Sequence, residues 1–211
     1  MKQVFEVKAS AEGLERALLR LKGVRGGIEK ATARAVNRSL AAGRTELTRA
    51  VRENYTIRAR DVRDTISLKK ATASDLGGAV KTEGQRLSLR LFKHTPANGE
   101  TTGAARRQVR VTVKKGGGGS LATGFLWDGG WGTGKSAVFL RLGQKIRPTK
   151  GYHKGKGYEV HKLQKAIGPA VPQMAKSDAV RERVQTCLET TFAKRLDHEV
   201  DFLLEKRKEN D

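Results

Sequence analysis

The sequence predicts an α+β fold, a small, mainly antiparallel sheet covered by a long N-terminal helix and a long C-terminal helix. Three observations lead there. Apolar residues recur at helical spacing over residues 28–54 and again over 178–207, each set forming one stripe. Between them the texture changes to short runs of alternating residues punctuated by glycine. The chain has 211 residues, enough to bury a core without disulfide or metal support. It reads as a single domain, 1–211, with a mainly helical part (1–75), a β-rich and strongly basic part (76–165) and a C-terminal amphipathic helix (177–208).

In chain order, Val4–Ala9 alternates as a short strand, and a helical pattern from Ser10 or Ala11 runs through Leu14, Leu18 and Leu21 before Gly23, Gly26 and Gly27 stop it. From Ile28 the positions Ala31, Ala35, Leu40, Leu47 and Val51 mark the buried face of a long helix. Gly43 is its weak point, since glycine costs about 1 kcal/mol relative to alanine within a helix. Lys30, Arg34 and Arg38 form a basic ridge away from that face. Thr56 is placed to cap a shorter helix through Val62 and Ile66. Strand candidates follow at Ser67–Ala71, Gly78–Thr82, Leu87–Phe92, Gln108–Lys114, Leu121–Trp127 and Ala137–Leu142. Gly143–Gly157 reads as a glycine-rich loop, and Gly168, Pro169 and Pro172 interrupt regular structure. The last helix opens at Ser177 and Asp178, and its apolar positions Val180, Val184, Leu188, Phe192, Leu196, Val200 and Leu203 form one line. Such a helix can dock on its own sheet or on a neighbouring subunit.

Charge narrows the function. Forty-three basic and 22 acidic residues give a net +21, and residues 76–176 alone hold 19 basic against 4 acidic, a net of +15. An imbalance of this size points to a polyanionic partner, either DNA or an acidic protein neighbour. The loop Gly143–Gly157 concentrates Lys145, Arg147, Lys150, Lys154 and Lys156 with no acidic residue, which makes it a cationic arm and the candidate nucleic-acid contact. No signal peptide and no apolar run of membrane-spanning length is visible, so the chain is expected to fold in the cytoplasm without a membrane partner.

One motif suggests an enzyme. Gly129-Gly130-Trp131-Gly132-Thr133-Gly134-Lys135-Ser136 matches the phosphate-loop pattern letter for letter. A working phosphate loop needs a helix to begin at once, so that backbone N–H groups and the helix dipole meet the phosphates. Here Ala137-Val138-Phe139-Leu140-Arg141-Leu142 is β-like, and no apolar strand ending in aspartate is available for magnesium. The segment is therefore expected to be a glycine-rich connection between strands. His94, His153, His161 and His198 lack zinc spacing, and the single cysteine, Cys187, sits on the last helix as a small hydrophobe. Neither a catalytic residue, a cofactor nor a metal is expected. Trp127 and Trp131 flank the glycine-rich turn, where they could stack on bases, although filling core or interface gaps is the commoner role.

Two stretches resemble the minor tail protein Z family of lambda-like phages and prophages, also described as tail completion proteins. The first is Ala31-Thr32-Ala33-Arg34-Ala35-Val36-Asn37-Arg38 followed by Val51-Arg52-Glu53-Asn54-Tyr55-Thr56-Ile57-Arg58-Ala59-Arg60-Asp61-Val62. The second is Val138-Phe139-Leu140-Arg141-Leu142-Gly143, a variable basic loop, Val160-His161-Lys162-Leu163, and Ile167-Gly168-Pro169-Ala170-Val171-Pro172-Gln173-Met174. Lys162 departs from the family pattern, which often has proline in that segment. The resemblance implies a structural virion component, not an enzyme, at the head-proximal end of the tail, taking part in head–tail joining. Its implied partners are other tail and head–tail connector subunits, a homo-oligomeric ring or partial ring of its own kind, and phage DNA near the genome end. A competing reading is a cytoplasmic, sequence-independent nucleic-acid-binding protein. No helix-turn-helix, aromatic sheet motif or zinc framework supports it.

Overall fold

A computed structural model of the chain describes residues 1–7, 11–21, 27–95, 109–127, 136–149, 151 and 153–208. The chain divides into two compact units, the first made of Met1–Arg52, Ala59–Gln85 and Ala170–Asp211 and the second of Glu53–Arg58 and Arg86–Pro169. The α+β class is as the sequence predicts, with long helices near both ends. The described strands form three separate three-stranded antiparallel sheets instead of one.

In the first unit, β1 (Lys2–Val7), β2 (Ile66–Lys69) and β3 (Gly78–Glu83) pair in the order β1-β3-β2. Two long helices lie against this sheet, α2 (Gly27–Asn54) and α5 (Asp178–Lys208), with the single turn α4 (Val171–Met174); α1 (Ala11–Arg20) packs on α5, and the unit also holds α3 (Ala59–Arg63). Helix α2 buries Ala31, Ala35, Leu40, Leu47 and Val51, the stripe read from its periodicity, with Val36 between them. Two glycines allow the close packing. A Cβ at Gly78 would come within 2.6 Å of Val36 Cγ1 and 2.9 Å of Leu40 Cδ1. A Cβ at Gly43 would overlap Leu188 and sit 3.5 Å from Val80 Cγ2. Gly43 is thus a point of contact between α2 and α5, where propensity alone suggested only a weakness.

Helix α5 packs on its own unit. Its buried residues Val180, Val184, Leu188, Phe192, Leu196 and Val200 recur strictly every fourth position. Each such step overshoots a full turn by about 40°, so the buried line winds roughly 200° around the helix from first to last. Opposite ends of α5 therefore face different neighbours. Gln185 donates to the Glu6 carbonyl on β1 at 3.4 Å, whereas Glu199 pairs with Arg34 of α2 at 3.3 Å and Asp201 with Arg20 of α1. Ala17 of α1 and Leu21 just after it are buried, and Leu18 is exposed.

Three local expectations are corrected. Thr56 does not cap a helix running to Ile66; α3 is only five residues long and Ile66 begins β2. In the second unit the Thr56 N–H instead donates to the Val113 carbonyl at 3.0 Å, its hydroxyl donates to Thr112, and it accepts from the Lys93 N–H at 3.1 Å. The β-branched pair Thr56-Ile57 suits this extended, strand-like course. Leu87–Phe92 is not a strand; Leu89–Leu91 forms a 3-10 turn begun by Ser88, whose hydroxyl accepts from the Arg90 N–H. Leu121–Trp127 breaks into two strands at Ala122-Thr123.

The second unit holds β4 (Lys93–Thr95), β5 (Val109–Thr112) and β6 (Gly119–Leu121) in one sheet, and β7 (Gly124–Trp127), β8 (Ala137–Ile146) and β9 (Val160–Lys165) in the other. Its interior is small and apolar, with Phe92, Val109, Val111, Leu126, Val138 and Ala166 buried.

Candidate nucleic-acid interface

Strand β8 passes straight through Gly143 and ends at Ile146, so the loop predicted from Gly143 is in its first part the arm of a two-stranded ribbon. Its partner β9 was not recognised as a strand. The two pair antiparallel, Arg141 opposite Leu163 and Lys145 opposite His161, with an irregularity between Arg141 and Lys145. Four steps along β8 thus match two along β9, and extra residues in one strand bend and twist a ribbon locally. From this irregularity onward nearly every described residue from Gly143 to Glu159 is exposed.

The predicted cations fall on this ribbon and its tip. Lys145 lies in β8, Arg147 just after it, and Lys154 and Lys156 in the turn, where Gly155 and Gly157 both adopt positive φ (74° and 77°). Lys150 lies outside the described residues. Lys145, Arg147 and Lys154 make no ion pair with any described acidic residue, and all four described cations are solvent-exposed. The tip is tied by His153 and Tyr158, whose rings meet edge to face at 5.5 Å and whose Nδ1 and hydroxyl are hydrogen-bonded. Lys162 and Lys165 on β9 extend the positive surface and were missed from sequence; β9 is exposed along its length and shows no core-facing alternation to mark it. Charged residues on such an edge strand also discourage unwanted strand pairing.

One face of the β7-β8-β9 sheet is apolar and buried through Leu126 and Val138. The register places Phe125, Trp127, Phe139, Arg141, Leu163 and Lys165 together on the other face. Phe125 and Phe139 stack at 6.1 Å between ring centroids, Trp127 meets Phe139 edge-on at 6.0 Å, and the Arg141 guanidinium lies 4.4 Å above the Phe125 ring. Trp127 remains 43% exposed.

Gly129–Lys135 of the phosphate-loop-like segment, with Trp131, lies outside the described residues. Its last residue is described: the Ser136 hydroxyl accepts from Arg90 Nε at 3.1 Å, and β8 starts at the next residue. A strand stands where a phosphate loop requires a helix. Among the described residues no group of three or more His, Cys, Asp and Glu is placed to hold a metal ion. His94 is occupied by the Phe92 carbonyl and by Arg90. No helix of the described residues is long and apolar enough to cross a membrane.

The family model described as prophage minor tail protein Z (GPZ) matches residues 11–207, spanning both units. The chain belongs to this family. Members are structural components of a phage tail and so of the virion, and the segments that carried the resemblance in sequence have definite places in the minor tail protein's fold. Ala31–Arg38 is the part of α2 whose Asn37 side chain bonds both the N–H and the carbonyl of Ala71, at 2.9 and 3.0 Å. Val171–Met174 is α4, buried against β1 and β3, with the Ala170 N–H held by the Gln173 side chain at 3.1 Å. No curated protein and no solved structure matches the chain.

Proposed function

We propose that this minor tail protein completes the head-proximal end of the tail and takes part in joining it to the DNA-filled head, with the basic ribbon turned toward the genome end. Its partners in this reading are other tail and connector subunits and further copies of itself in a ring or partial ring, the two units acting as one tail-completion module. The role is structural, not catalytic. The observation that carries it is the charge of the second unit, 18 basic residues against 4 acidic, a net of +14, part of it carried on an exposed ribbon, in a chain of a tail family. A part placed where DNA enters the tail meets closely spaced phosphates, and cations of this density offset their repulsion.

A stop codon early in the gene, within its own phage, tests the location. Induced cells should accumulate filled heads and separate tails of normal length, and wild-type protein supplied from a plasmid should restore joined particles. Joined, infectious particles formed without the protein would overturn the reading.

A further inference from the structure

We infer that the outer face of the β7-β8-β9 sheet is a stacking platform for unpaired nucleotides of DNA, which deepens, and rests on, the reading that the ribbon faces DNA. The face carries an aromatic ladder, Trp127–Phe139–Phe125, with ring centroids 6.0 and 6.1 Å apart. Two cations border it: Arg141, stacked on Phe125, and Lys165, the register partner of Phe139. Trp127, at one end of the ladder, is 43% exposed. The same strands lead through Lys145 to Arg147 and the Lys154–Lys156 turn, so rings for the bases lie on the sheet and cations for the phosphates lie on it and on the connection between β8 and β9. Single-strand binders combine these two elements, because every base has a face to stack while a duplex hides its base faces from the protein. An acidic protein would meet the cations but would leave the exposed indole without a matching flat partner. The ribbon therefore serves both forms of DNA, and the aromatic face adds affinity for the unpaired form alone.

The test uses the full-length protein, an oligothymidylate and a blunt duplex of equal length, both labelled, with fluorescence anisotropy as the readout at several salt concentrations. The oligothymidylate should bind more tightly than the duplex. Trp127→Ala should weaken it about tenfold, in the range of one lost base–aromatic stack, and leave duplex binding unchanged. Trp127→Leu keeps apolar bulk should the alanine variant fail to fold, and Trp127→Tyr should retain most of the affinity. Lys154→Glu with Lys156→Glu should weaken both DNA forms alike. Should folded Trp127→Leu bind both forms as the wild type does, or lose both equally, the stacking platform is wrong and the basic ribbon stands. Failure of the wild type to bind either DNA at low salt would remove both, and polyglutamate binding unaffected by Trp127→Leu would make the surface a protein-docking site instead.

Discussion

The first unit holds 25 basic and 18 acidic residues, the second 18 and 4. In the first, positive charge is matched locally: Lys2 with Glu83, Arg20 with Asp201, Arg34 with Glu199, Lys69 with Asp75 and Arg183 with Glu46 are all ion pairs inside that unit. In the second, the ribbon cations Lys145, Arg147 and Lys154 stand in solvent without a described acidic partner. Packing divides in parallel. The first unit buries long helices on a sheet through Leu40, Leu47, Leu188 and Val80, whereas the second covers small sheets on one face and leaves β9 open. Uncompensated charge on the surface of a unit with a small core costs stability through self-repulsion. Under the proposed function that exposed charge belongs to recognition of DNA, while the larger packed core belongs to the first unit.

The largest effect should come from attacking that division directly. The wild-type protein should bind duplex DNA without sequence preference, with affinity falling steeply as salt rises. Reversing Lys145, Lys150, Lys154 and Lys156 to glutamate should lower the slope of log affinity against log salt by up to about 3 to 4, with a loss of several orders of magnitude at low salt. Reversing an equal number of paired cations in the first unit, Lys2, Arg60, Lys69 and Arg181, should change DNA binding far less. Equal losses from the two sets would show that only total charge matters and would dissolve the contrast.

The same contrast explains what was legible in the sequence. Helices α2 and α5 were readable because each buries one line of side chains against a large core, which imposes a period on the sequence. Gly43 was misjudged because its role depends on Leu188, which lies far along the chain and meets it only in the fold. Strand β9 was unreadable for the opposite reason: Val160, His161, Lys162, Leu163, Gln164 and Lys165 lie on an exposed ribbon where neither face must be apolar. The cationic arm was found from composition, which needs no period, but its course as a ribbon and the addition of Arg141, Lys162 and Lys165 required the pairing register. The aromatic ladder likewise joins residues from different strands, so Trp127 alone carried only half the signal.

A medium effect is expected where α2 and α5 touch. Leu188 is fully buried, and Leu188→Ala should cost about 2 to 5 kcal/mol in urea unfolding, the range for emptying a packed leucine site. Gly43→Ala brings two opposing terms. Alanine improves helix propensity by about 1 kcal/mol, but its methyl group would overlap the Leu188 side chain, and overpacking of this kind costs about 1 to 3 kcal/mol. The net change should be a destabilisation of roughly 1 kcal/mol. In the double variant the new methyl group enters space that Leu188 has vacated, so the combined loss should fall short of the sum by more than about 0.5 kcal/mol. Additive losses would mean that Gly43 is not held by contact with α5.

The smallest effect tests charge matching in the first unit at a single residue. Asp75 sits in the turn between β2 and β3, where its carboxylate accepts from Lys69 Nζ at 2.9 Å and from the Gly77 N–H at 3.0 Å, while Thr72 and Asp75 exchange two further bonds across the turn. The hydrogen bond and charge of Lys69, with the Gly77 N–H, hold its carboxyl below the ordinary value of 3.8. A carboxyl depressed in the folded state binds its proton more readily once unfolded, so the ionised form favours folding. That contribution is complete above the ordinary aspartate range and disappears as pH falls through the lower folded value. Because the group is exposed, the effect should be small and should shrink further with added salt. Following the Asp75 carboxyl carbon by NMR through an acid titration should show the depressed value in the wild type and its return toward normal in Lys69→Met. A titration unmoved by that change would mean that Lys69 does not hold the carboxylate in solution, and local pairing in the first unit would then rest on its other, longer-range partners such as Arg34 and Glu199.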